Sequence, residues 1–182
     1  MFTLRCTQKL LARIDLDPVA DNPPATTVLG DWYANLVRAG RTQVILAVSE
    51  RTLLPVVIAA REARNMAQRL TDALEPMLLC LGVPAESVAA ERQAMRDCAF
   101  ARTVDRRILG SLKELAFQLE VGLLEWPERP LLTQSLWLAG TPMKVIDHGP
   151  PEAAAVAAFA ARRAIEGARD ARTSRNEPSS EQ

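Results

Sequence analysis

Three short polar clusters carry residue types from which a site can be built. The first is Gly30-Asp31-Trp32-Tyr33-Ala34-Asn35. An aromatic pair beside an acid and an amide can stack a base or sugar and hydrogen-bond its edge. The plainer reading makes Asp31 the N-cap of a short helix whose Trp32, Leu36 and Val37 face the core, with Gly40 ending it. The second cluster, Ser49-Glu50-Arg51-Thr52, lies between two apolar runs. A tight turn would hold Glu50 and Arg51 toward a shared cleft, although opposite charges side by side at a turn are commonly solvated and contribute little. The third, Arg102-Thr103-Val104-Asp105-Arg106-Arg107, runs into Gly110-Ser111. Arginines at a helix start favour phosphate, because free N–H groups and the helix dipole add to guanidinium donors.

Taken together, these clusters predict a polar cleft formed by Lys9, Asp31, Trp32, Asn35, Glu50, Arg51, Thr103, Arg107 and Ser111. The leading expectation is a binding or regulatory module for a phosphate-bearing ligand, nucleotide or RNA. An alternative is a small nuclease or toxin-like phosphodiesterase. There Glu50 or Asp31 would act as base, Lys9 and Arg107 would stabilise the phosphorane, and Ser111 would position it. A third reading gives the clusters to a homodimer interface. Arg107 is expected close to Glu50 or Asp31.

Much chemistry is absent from the sequence. There is no GxGxxG, GxxxxGK[ST], GxSxG or HExxH pattern. The single histidine, His148, lies in a Gly/Pro-flanked loop without the acid–nucleophile pair of a catalytic triad around it, so it reads as a plain loop residue. Cys6, Cys80 and Cys98 stand far apart, unlike the four closely spaced ligands of structural zinc. No metal and no cofactor is expected. The 22 basic and 22 acidic side chains cancel, so no global field draws the chain to nucleic acid or lipid. No long apolar stretch spans a membrane, and no signal peptide is recognisable, so a cytoplasmic location is expected.

The positioning elements follow from periodicity. Hydrophobic residues make up 48% and charged residues 24%, enough for a real core. Met1–Cys6 alternates as a half-buried strand, and Thr7 is placed to cap a short helix carrying Leu10, Leu11 and Ile14. Val44–Val48 and Leu53–Ile58 are β-rich runs joined by the Ser49–Thr52 turn, with Pro55 at an edge or bulge. Helices are expected over Glu62–Leu81 and Pro84–Arg96, the first carrying Ala63, Met66, Leu70, Leu74 and Leu78 inward. A strand follows at Cys98–Thr103, then a helix capped by Asp105 that ends before Pro127. Leu131–Leu138 fits a helix or a strand.

The fold class is therefore α+β. A small, mostly antiparallel sheet with a central hairpin is expected to be packed on one face by the 62–81 and 105–124 helices. Residues 1–148 form a single domain, 149–171 an Ala/Arg-rich helical extension, and 172–182 a disordered tail.

At the same clusters the sequence resembles a bacterial family of unknown function. The resemblance rests on Thr7-Gln8-Lys9-Leu10-Leu11, on Leu29 to Leu36 (LGDWYANL), on Ser49 to Val57 (SERTLLPVV), and on Arg106 to Leu112 (RRILGSL). It covers about residues 1 to 125. The family implies no activity, so it assigns no catalytic role to any of these residues.

Overall fold

The computed structural model describes residues 1–15, 17–19, 24–61, 65–146 and 149–175, with side chains to residue 169. Along the chain run β1 (Phe2–Cys6), α1 (Gln8–Ile14), β2 (Trp32–Ala39), β3 (Thr42–Ser49) and β4 (Pro55–Ala59). They are followed by α2 (Met66–Cys80), α3 (Ala85–Ala94), β5 (Cys98–Arg102), α4 (Arg106–Glu125), α5 (Leu131–Ala139) and α6 (Pro151–Arg175). The expected positions of Ala63, His148 and residues 176–182 lie outside the described residues.

The sheet order is β4-β3-β2-β1-β5. β1 runs parallel to both neighbours, with Leu4 opposite Trp32 and Phe100. β2 with β3 and β3 with β4 are antiparallel. The sheet is thus mixed rather than mostly antiparallel, and the β3–β4 hairpin lies at one edge rather than at the centre. The correction comes from β2, a strand that the sequence disguised as a helix. Its Trp32 and Leu36 face one side of the sheet and Tyr33 and Val37 the other, all buried. A strand buried on both faces reads as a continuous apolar run, which periodicity does not separate from a short helix. Gly40, expected to end that helix, instead opens the two-residue β2–β3 turn at φ +58. A glycine reaches that conformation without steric cost.

Helices cover both faces. On one, Phe2, Leu4, Trp32, Ile45 and Val56 pack with α1, α2, α3 and the start of α6. On the other, Tyr33, Val37, Leu46 and Val57 meet Ile108, Leu112, Leu115, Leu119 and Leu123 of α4. The α2 and α4 helices therefore take opposite faces, not the same one. Alternation along each strand requires this: with side chains pointing both ways and all apolar, each face needs a cover. Each fully buried leucine on these helices contributes roughly 1.5–3 kcal/mol.

Local chemistry sets the ends. Asp105 caps α4 as expected, its Oδ1 accepting from the Arg107 N–H at 2.7 Å. Residues 131–139 form a helix, α5, whose Ser135 Oγ accepts the Val57 N–H at 2.9 Å and so covers the β4 edge. At the other edge the Val19 N–H donates to the Phe100 carbonyl of β5 at 2.8 Å. The helix expected over 149–171 runs from Pro151 to Arg175, seated by buried Ala155 and Phe159.

Candidate functional site

Asp31 stands just before β2, where it anchors β1. Its Oδ2 accepts from Arg5 Nη2 at 2.9 Å and Nε at 3.2 Å, and its Oδ1 accepts the Thr3 N–H at 2.9 Å. The Asp31 carbonyl accepts the Glu50 N–H at 2.7 Å, and Glu50 Oε2 faces the Asp31 N–H at 3.4 Å. Arg51 Nη1 donates to the carbonyls of Thr27 and Val28 at 3.1 and 3.2 Å. These contacts close around Gly30 at φ +80, where an added Cβ would lie 3.0 Å from Arg51 Cγ. Asp31, Glu50 and Arg51 are thus brought together, without the Arg107 expected beside them. Asp31 and Arg51 spend their bonding capacity on the fold itself, tying the 27–31 loop to the β3–β4 turn. Asp31 is not a helix cap.

The other predicted residues are dispersed. Trp32 is fully buried, with no partner for its Nε1. Asn35 Oδ1 accepts the Thr7 hydroxyl at 2.9 Å, holding the β1–α1 junction to β2, so Thr7 at the N-cap of α1 makes no side-chain cap. Lys9 is exposed on α1 and Ser111 is buried on the inner side of α4. Arg107 is 81% exposed and pairs with Asp105 at 3.3 Å, not with Glu50 or Asp31. The sheet order explains this. β5, which leads into α4, lies at one edge, with β1 and β2 between it and the β3–β4 turn. No hydrogen bond or ion pair among the described residues joins Lys9, Thr103, Arg107 or Ser111 to Asp31, Glu50 or Arg51.

Tyr33 sits opposite Arg5 in the register. Burial pushes its hydroxyl up, while the Arg5 charge and the Asp105 backbone N–H pull it down.

A second polar feature is a crevice of about 490 Å³ at the carboxyl ends of β1 and β5. Gln8, Asp15, Asp17, Arg102 and Thr103 line its polar side, with Cys6 and Leu11 beside them. Its position follows from topology. β1 and β5 are adjacent and parallel, but α1 leaves β1 toward one face and α4 leaves β5 toward the other. Open sheets gather ligands where successive connections diverge in this way. Burial pushes the Cys6 thiol up to about 12, so it is neutral and unreactive there. No group of His, Cys, Asp and Glu side chains able to hold a metal occurs among the described residues.

Of the crevice residues, only Thr103 was foreseen as a ligand contact. Asp15 and Asp17 lie in a stretch whose prolines signalled only a loop. Arg102 stood inside a recognised cluster but at a strand end rather than a helix start. Arg5 was legible in principle, as a cation on the inner stretch of an otherwise half-buried strand.

Fold and site together define an α+β protein with a mixed five-stranded sheet and a polar crevice at a divergence of its parallel strands. The chain belongs to the DUF6933 family, a domain of unknown function, whose profile matches residues 3–154. The match takes in all of the sheet but Phe2, with α1 to α5, and ends within the first turn of α6. No curated protein and no solved structure matches the chain. No helix among the described residues is long and apolar enough to cross a membrane.

Proposed function

We propose that the protein is a cytoplasmic binding module for a phosphate-bearing ligand of nucleotide size, seated in the crevice between α1, β1 and β5. The observation that carries this reading is the lining of the crevice. Arg102 offers a guanidinium to an anionic group, while Asp15 and Asp17 offer acceptors to hydroxyl or amino donors on the same molecule. A nucleotide presents both, a phosphate at one end and sugar hydroxyls or a base amine at the other. Thr103 and Gln8 add groups that both donate and accept. The earlier candidate set contributes Thr103 directly and Asn35 indirectly, through the Thr7 contact that holds the β1–α1 junction. The Asp31–Glu50–Arg51 group serves as the lock that fixes β1 against β2.

Titration calorimetry with nucleoside mono- and diphosphates tests the proposal. Binding that Arg102→Ala removes, with the fold retained by circular dichroism, is the expected result. If no nucleotide binds, or if Arg102→Ala binds like the parent, the reading fails. Incubation with mixed RNA, with and without a divalent cation, is expected to leave the RNA uncut.

A further inference from the structure

The outer face of α4 carries apolar side chains that the fold leaves uncovered. Phe117, Val121 and Leu124 are 69%, 37% and 64% exposed and fall on one stripe of the helix, four and three residues apart. Gly110 continues the stripe one turn and three residues before Phe117, and an added Cβ there would meet nothing within 4 Å. Scattered exposed apolar residues need no explanation, but a stripe along one helix marks a contact surface.

The charges beside the stripe identify the occupant. At 3.6 residues per turn, Lys113 and Glu120 flank it on one side, Arg107, Glu114 and Glu125 flank it on the other, and Arg106 stands at its start, beyond Gly110. On each side the cation precedes the anions, Lys113 before Glu120 and Arg107 before Glu114 and Glu125. A twofold axis crossing the stripe at Phe117 runs a second α4 antiparallel to the first. That operation keeps each flank and reverses position along the helix. Lys113 then meets Glu120 of the second copy, and Arg107 meets Glu125, each pair occurring twice. Phe117 packs on its own mate, and Leu124 is set over Gly110, where an added Cβ would meet nothing within 4 Å. Lys113, Glu120 and Glu125 make no ion pair within the chain among the described residues, and Arg107 makes only its exposed contact with Asp105.

We infer that α4 is the homodimer interface of this protein, formed by antiparallel pairing of α4 with α4 of a second copy. The surface is self-complementary in both shape and charge, as a twofold contact requires. It lies on the outer side of α4, whereas the ligand crevice is formed by α1 and the ends of β1 and β5, so the two proposals stand independently.

Sedimentation equilibrium of the full chain at tens of micromolar tests the inference. A dimer is expected, and Phe117→Glu should make it monomeric without changing the circular dichroism spectrum, since the side chain is mostly exposed. Lys113→Glu should weaken the dimer at low salt, and Lys113→Glu combined with Glu120→Lys should restore it. A parent protein that stays monomeric overturns the inference. So does a dimer indifferent to Phe117→Glu, or charge variants in which the double exchange fails to restore what the single one lost.

Discussion

Arg5 and Asp31 join β1 to β2 through two contacts on a single carboxylate oxygen, with Arg5 Nη2 at 2.9 Å and Nε at 3.2 Å from Asp31 Oδ2. The side chains are 18% and 8% exposed, so water competes little for them. The second Asp31 oxygen takes the Thr3 N–H, which makes this carboxylate a structural part of the sheet. Removing it strands a guanidinium and a buried N–H together. Asp31→Ala is therefore expected to cost about 2–4 kcal/mol. Arg107→Ala, which within one chain loses only an exposed contact, should change the stability of the monomer by no more than about 0.5 kcal/mol. Urea denaturation of the two variants measures the contrast, and equal effects would refute it.

How far the sequence disclosed this arrangement depended on how each segment is buried. The long amphipathic helices were legible because each has one wet side and one dry side, and the β3–β4 hairpin, although buried on both faces, because its β-branched runs flank a polar turn. β2 was not, since both its faces are dry and its WYANLV run shows no alternation. Losing β2 as a strand also hid the parallel pairing with β1, and with it the place where α1 and α4 part. Asp31, Glu50 and Arg51 belong to one expected cleft, but the sequence reading set Arg107 beside them and made Asp31 a helix cap, whereas Arg107 pairs with Asp105. The crevice was missed because Arg102, Asp15 and Asp17 meet only through strand pairing between β1 and β5, a contact distant in sequence.

The three cysteines differ in a way that chemistry can read. Burial pushes Cys6 and Cys98 each up to about 12, with Cys6 further raised by Cys98. Cys80, at the end of α2, is exposed. Thiolate is the reactive form, so a disulfide reagent at neutral pH should modify one thiol quickly in the folded protein and all three in denaturant. Mass spectrometry should place the fast modification on Cys80. Fast labelling of Cys6 would show that the crevice opens to its floor.

The start of α6 should matter to stability although most of the helix should not. Phe159 is 2% exposed and packs in the main core cluster, whereas Ile165, two turns on, is 53% exposed. Phe159→Ala is expected to cost about 3–5 kcal/mol. Ile165→Ala should change stability by no more than about 0.5 kcal/mol. Thermal melts of both variants check this. A tolerant Phe159→Ala would mean that α6 is not held by its first turns.

Glu91 provides a pH signature. Its carboxylate is buried on α3, where Oε2 accepts the Val28 N–H at 2.7 Å and Oε1 the Leu29 N–H at 3.1 Å. Burial raises its pKa above the ordinary value of 4.5, against the pull of those two N–H groups and of the Arg51 and Arg162 charges. A raised carboxyl in the folded state means that the folded protein holds more protons than the unfolded chain just above that value. Stability from this group is then greatest below 4.5 and falls as pH rises through the folded pKa. Glu91→Gln removes the titration while keeping one acceptor for the Val28–Leu29 backbone. The stability of the parent relative to Glu91→Gln should therefore decline as pH is raised from about 4 toward 8. Urea midpoints across that range measure the difference. A constant difference, or a parent that gains on the variant with rising pH, would show that the two N–H bonds outweigh burial at this site.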